Sequence, residues 1–268
     1  MSIVESIKKG FSLSKKAVAL IIVLSVINII IGFINLAVMP PQPPVGTPPA
    51  APSPAVILVG IIFFFIGIFI QAGIINSSKE LVKKGAAAVG DFTKGALQYF
   101  LPLLALGLCY LVLFVMFAII IGVVVGIASV AGPILAFIGG LIAVAVGLLG
   151  LYFFITLSFA PYALIVDGKG IIESLKESSR FVRPIFWRIV GLFLIMIAIA
   201  LLLALILGGI LLGIGLILRE PNIIQSIRVI ISGIINAYIG LAFVAALIVF
   251  YMSNKGSEFK PGPVNVGK

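Results

Sequence analysis

The chain has 268 residues, of which 62% are hydrophobic and only 10% charged, and its mean hydropathy is +1.37. Soluble globular domains run near 45–50% apolar with glycine included and about 25% charged, so a water-soluble protein is excluded. Long unbroken apolar runs, in place of alternating ten-residue segments, also exclude an outer-membrane barrel and leave an all-α, polytopic transmembrane helical bundle.

Crossing roughly 30 Å of hydrocarbon takes about 20 residues at about 1.5 Å each. Six runs qualify: Ala17 to Met39, Ala55 to Asn76, Leu101 to Ala128, Ile134 to Val166, Gly191 to Leu218, and Val229 to Ser253. Lys8, Lys9, Lys15 and Lys16 precede the first. Its apolar stretch is longer than a signal-peptide core, and Pro40 and Pro41 stand where a cleavage site would need small residues, so a retained helix is expected. Pro40 to Pro54 holds eight prolines in fifteen residues and no charge, which predicts extended polyproline II serving as a spacer or an outward-facing recognition segment. The fourth run is too long for one upright span, and Pro161 near its end predicts a kink or an exit from the bilayer. Residues 255–268 form a polar tail after the six-helix domain at 1–254.

Orientation follows from the 18 basic residues. Those before the first run, between the second and third, between the fourth and fifth, and after the sixth share one face. The other face keeps only Arg219 and Arg228. The positive-inside rule then places both termini in the cytoplasm of a multi-pass cell-membrane protein. The net charge of +10 reflects these loops, and no nucleic-acid partner is expected.

A unit of amphipathic segment, helix, short outer loop and helix recurs along the chain. Ile3-Val4-Glu5-Ser6-Ile7-Lys8 matches Ile171-Ile172-Glu173-Ser174-Leu175-Lys176, and Tyr99-Phe100-Leu101-Pro102 matches the aromatic and proline pattern at Arg183-Pro184-Ile185-Phe186-Trp187. The units are 1–76, 77–166 and 167–254; a shared preference of Lys, Arg and Trp for the interface explains the same likeness without a repeat. Between Gly170 and Val190, Ile171, Ile172, Leu175, Val182, Ile185, Phe186 and Ile189 recur at helical spacing, with Glu173, Lys176, Glu177, Arg180 and Arg183 on the other side. Such a helix is expected in the inner interface, turning into the fifth span at Pro184. Lys176, Arg180, Arg183, Arg188 and Trp187 are the candidate contacts to anionic lipid headgroups, worth about 1 kcal/mol per cation near the surface. Docking of a cytoplasmic protein partner is the competing use of the same face.

Polar residues inside the runs are few. Asn28 and Asn35 share one helical face with Gly32, and Asn236 in the sixth run is the candidate partner. This interior polar face reads as interhelical hydrogen bonding, about 0.6 kcal/mol per bond, or as the lining of a passive conduit. Gly122-x-x-x-Gly126 and Gly209-x-x-x-Gly213 present small faces, expected to pack closely inside the bundle, with a lateral homo-oligomer left open.

The ionisable groups that intramembrane catalysis or proton coupling requires are missing from all six runs. There is no histidine, the single Cys109 lies in an apolar run, and Gly168-Lys169-Gly170 lacks the spacing of a phosphate loop. No enzyme activity, metal or cofactor is expected.

Phe159-Ala160-Pro161-Tyr162, the turn at Asp167-Gly168, Ser174-Leu175-Lys176-Glu177-Ser178 and Phe186-Trp187-Arg188 resemble the central motif of the membrane domain of some glycerophosphodiester phosphodiesterases and related six-helix families. The likeness runs from Phe159 to about Ile195 and extends to the six-span plan. It implies the fold and not the activity, because the catalytic barrel of those enzymes is a separate domain that this chain does not encode. The expected function is a non-enzymatic, structural or lipid-contacting membrane scaffold. The alternative is a passive transporter or channel for a neutral or amphiphilic solute.

Overall fold

The lengths of the helices are set by where apolar runs meet caps, glycines and prolines, and the computed structural model places these boundaries at residue level. It describes residues 1–38, 53–130, 132–218 and 220–255. The proline-rich stretch through Pro52, Arg219 and the tail beyond Lys255 lie outside the described residues. Among the described residues the chain is all α-helix apart from turns, with no strand. The helices are α1 (Ile3–Ser14), α2 (Val18–Val38), α3 (Pro54–Lys84), α4 (Val89–Val130), α5 (Pro133–Leu157), α6 (Ala160–Val166), α7 (Ile171–Val182), α8 (Phe186–Leu218) and α9 (Pro221–Asn254). A 3₁₀ turn, Arg183–Ile185, joins α7 to α8.

Six helical stretches are long and apolar enough to cross a membrane: Val18–Val38, Pro54–Lys84, Val89–Val130, Pro133–Val166, Ile171–Gly215 and Ile223–Asn254. The second, third, fifth and sixth run well past the expected spans at their polar ends. α4 continues through Pro102 with 42 residues, roughly 63 Å at helical rise. A proline inside a helix removes one backbone bond and crowds the preceding turn; here the helix absorbs that cost instead of starting at the proline.

Two compact units divide the fold. The first comprises residues 1–100 and 192–268, and its hub is α9, against which α1, α2 and α3 pack. The most apolar window of α9 is 56% buried, against 11–17% in the other five candidate spans. Small residues explain this. Ala237, Ala242, Ala245 and Ala246 are buried on α9, and Gly10 of α1 lies so close that a Cβ there would come within 2.5 Å of the Ala242 carbonyl oxygen. Phe11 meets Tyr238 and Phe243 edge-on, with ring centroids 5.8 and 6.0 Å apart. Leu20 and Leu24 of α2, Leu81 of α3 and Phe92 of α4 complete a cluster around Ala237 and Leu241. α3 ends at Gly85, whose φ of 76° suits a residue without a Cβ. Beyond it, Phe92 packs where Gly73 leaves room, and Asn76 fills the space over Gly95 while donating from Nδ2 to the Asp91 carbonyl at 2.8 Å.

The second unit comprises residues 101–191. α5 starts at Pro133 after Gly132, which has φ 95°, and returns along α4. Ala128 packs on Gly139 and Phe117 on Gly150, the ring pairs Phe114–Phe154 and Phe117–Phe153 lie 6.4 and 6.0 Å apart, and the Tyr110 hydroxyl donates to the Leu157 carbonyl at 2.6 Å. The helix breaks at Ser158 and Phe159, two residues ahead of Pro161, and resumes as α6, every residue of which is buried. Gly168, with φ 68°, turns the chain so that α7 packs on α6 and α5.

Candidate functional site

The cationic face predicted between Gly170 and Arg188 is built on α7, the 3₁₀ turn and the first turn of α8. α7 is amphipathic, and the apolar stripe expected in the acyl boundary divides, with Val182 and Ile189 buried within the protein and Ile172 exposed. Ser174, Ser178, Phe181 and Val182 are buried within the protein, whereas Ile172, expected to face the acyl boundary, is 68% exposed. Two serines occupy the buried side because α7 approaches α6 closely and needs small residues that bring their own hydrogen bonds. The Ser178 hydroxyl donates to the Thr156 carbonyl at 2.8 Å and accepts from the Phe159 N–H at 3.1 Å. It thereby satisfies two backbone groups left open by the break between α5 and α6. The Phe159 ring meets Phe181 edge-on and Tyr162 at a tilt, with centroids 5.1 and 5.5 Å apart. Hydroxyl and ring together lock α7 against the chain reversal.

Opposite this locked side, α7 presents Lys176, Arg180 and Arg183, all exposed. Their spacing of four and then three residues puts them on one helical face. With Leu175 and Ser179 they line an open cleft of about 590 Å³. A second cleft of about 440 Å³ is lined by Tyr152, Arg183, Pro184, Ile185, Phe186, Trp187 and Arg188. Arg183 thus belongs to both, and Trp187 is 80% exposed at the rim. Of the acidic residues on α7, Glu177 is held by Lys169 at 2.6 Å, with its side chain only 13% exposed. Lys176, Arg180, Arg183, Trp187 and Arg188 thus line two clefts that share Arg183, and Pro184 sits in the 3₁₀ turn between α7 and α8.

The amide face is arranged differently from the expectation. Asn28 is half-buried and donates from Nδ2 to the Gly233 carbonyl of α9 at 3.4 Å. Gly32 lies over Val229, one turn along on the same side of α2. Asn35 is half-buried, two turns from Asn28. Asn236 does not partner them: it lies on the exposed side of α9. The correction has a simple cause, since Gly233 can offer its carbonyl where a side chain would have covered it. The glycine pairs also depart from expectation. A Cβ at Gly122, Gly126, Gly209 or Gly213 would meet open space, whereas Gly10, Gly73, Gly95, Gly139 and Gly233 are the positions of close approach. Among the described residues no cluster of His, Cys, Asp and Glu fits a metal ion.

Ser174 and Ser178 stand in the sequence motif, but apolar spacing does not mark them as the packed side of α7. Their signal was present in the spacing of Ser174 and Ser178, four residues apart on a short amphipathic helix, with Ser6 and Gly10 at the corresponding positions of α1 and also buried. Comparison with curated proteins and with solved structures finds no match, and nothing links the chain to the glycerophosphodiester phosphodiesterases. Residues 1–253 match the domain of unknown function DUF7847, and the chain, with its six membrane-length apolar helices, belongs to that family.

Proposed function

We propose that this protein is a non-enzymatic, multi-pass scaffold of the cell membrane that contacts anionic lipid headgroups at its cytoplasmic face. The observation that carries this reading is the junction of α7 and α8 at Pro184. Exposed Lys176 and Arg180 on the locked α7, Arg183 in the 3₁₀ turn and Trp187 in the first turn of the 33-residue apolar α8 follow one another. Tryptophan prefers the membrane–water interface, and cations there gain from the negative surface potential of the cytoplasmic leaflet. The exposed Ile172 and the apolar side of the α7–α8 junction would lie in the acyl boundary, as in an interfacial amphipathic helix.

The distribution of basic residues supports cytoplasmic termini, and the matching burial of Ser6 and Ser174 supports a threefold plan in which α1 and α7 are equivalent. The residues from Phe159 to Ile195 carry the resemblance to phosphodiesterase membrane domains as a likeness of fold. A passive conduit has one supporting observation, the exposed Gln71 and Asn236 within membrane-length helices. Reconstitution into liposomes separates the two readings. A scaffold leaves both lipid scrambling and solute flux at the level of empty vesicles while enriching anionic lipid around the protein. Flux that disappears on replacing Gln71 or Asn236 by leucine would replace the scaffold with the conduit.

A further inference from the structure

The cleft on α7 holds more positive charge and more donors than a singly charged headgroup can use. Lys176, Arg180 and Arg183 line it without an ion pair among the described residues, and no carboxylate lines it. Like charges at such spacings repel along a helix, so their grouping calls for a counter-charge from outside the chain. Two arginines, one lysine and Ser179 line the opening, and between them they carry guanidinium, ammonium and hydroxyl donors. A guanidinium binds phosphate oxygens in pairs, whereas an ammonium acts as a point charge. A phosphodiester headgroup offers two free oxygens and one negative charge. A phosphomonoester offers three oxygens and, with a second pKa of about 6, close to two charges at neutral pH. The adjoining cleft shares Arg183 and carries Phe186 and Trp187, an apolar and aromatic neighbour suited to the chain-bearing side of a lipid rather than to a free ion.

Resting on the headgroup reading above, we propose that the cleft lined by Lys176, Ser179, Arg180 and Arg183 selects phosphomonoester lipid headgroups of the phosphatidate type over phosphodiester headgroups of equal chain length. The two arginines clamp the terminal phosphate, Lys176 supplies the remaining charge, and the acyl chains leave past Trp187.

The chain has one tryptophan, so Trp187 reports on its own neighbourhood. The full-length protein is reconstituted in phosphatidylcholine vesicles containing brominated phosphatidate or brominated phosphatidylglycerol, and quenching of Trp187 is followed against mole fraction. Phosphatidate is expected to reach half-quenching at a several-fold lower fraction. R180Q/R183Q should weaken the phosphatidate response by about fivefold for each cation removed, R180K/R183K should fall between the two, and K15Q/K16Q, with the same charge loss on the first amphipathic segment, should leave the preference intact. If R180Q/R183Q does not fold, K176Q decides alone, with about fivefold expected. Equal quenching by phosphatidate and phosphatidylglycerol, both above brominated phosphatidylcholine, overturns the phosphomonoester preference and leaves the headgroup reading standing. Quenching no greater than with brominated phosphatidylcholine overturns both. Displacement of phosphatidate by equimolar inorganic phosphate or glycerol phosphate overturns the lipid as the source of the phosphate.

Discussion

The Ser178 hydroxyl lies between the Thr156 carbonyl and the Phe159 N–H, donating to one at 2.8 Å and accepting from the other at 3.1 Å. One side chain therefore spans the break between α5 and α6 and fixes the helix that carries the cations. Replacing Ser178 by alanine strands a buried donor and a buried acceptor, at a cost of about 1–3 kcal/mol. The midpoint of thermal unfolding in detergent should fall accordingly. Ser179→Ala, one residue along and half-exposed, should change stability by less than about 0.5 kcal/mol; equal effects at the two positions would show that the bridge is not what matters.

Hydropathy and composition made the six long helices and the change of helix type at Pro184 legible, because a span needs only apolar length and a proline limits what its neighbours can do. The packed faces were less legible. On α7 the apolar spacing groups Ile172 with Val182, yet only Val182 is buried within the protein; in a membrane an isoleucine can face lipid at no cost, so apolarity does not mark the packed side. Small residues mark it instead, as Ser174 and Ser178 do. The glycines divide for the same reason: Gly10 and Gly233 meet another helix, while Gly209 and Gly213 carry the familiar spacing without a neighbour.

That division can be measured. A methyl group at Gly10 would collide with the Ala242 carbonyl and the Ala246 Cβ, at 2.5 and 2.7 Å. Gly10→Ala should therefore destabilise by about 1–3 kcal/mol, as overpacking does. Gly209→Ala meets open space and should leave stability unchanged or raise it by up to about 1 kcal/mol through helix propensity. Unfolding midpoints for the pair give the comparison directly, and a destabilised Gly209→Ala would reveal a neighbour to α8 that only an assembled form supplies.

At the start of α1, Ser2 and Glu5 cap one another. The Ser2 N–H donates to the Glu5 carboxylate at 2.9 Å, and the Glu5 N–H donates to the Ser2 hydroxyl at 3.2 Å. The bond from the Ser2 backbone, aided by the Ser2 side chain, holds the Glu5 carboxyl below its ordinary value of 4.5. A carboxyl lowered in the folded state stabilises fully above its unfolded pKa and loses that contribution as pH falls through the folded value. The stability difference between the parent and Glu5→Gln should therefore be constant at neutral pH and shrink on acidification past the ordinary carboxylate range. A difference that grows in acid would reverse the assigned sign.

The orientation can be tested at two exposed sites. With Cys109 replaced by alanine, a cysteine at Glu220 should react with an impermeant thiol reagent from outside the cell, and one at Lys84 only after the membrane is opened. Reaction of both from the same side would refute an arrangement with cytoplasmic termini.

The last expectation concerns the amides. Asn28 bonds to the Gly233 carbonyl over a long 3.4 Å, so Asn28→Leu should cost only about 0.6 kcal/mol, the typical value of an interhelical side-chain bond in a membrane protein. Asn236 is exposed on α9, where a leucine would face lipid more comfortably than an amide, and Asn236→Leu should hold or improve stability. The sign of the two effects separates packing from transport. If the amides serve packing alone, Asn28→Leu lowers the unfolding midpoint slightly, Asn236→Leu does not, and neither alters the permeability of reconstituted vesicles. If they line a path, permeability changes with Asn236→Leu while its unfolding midpoint stays in place, and the scaffold reading gives way.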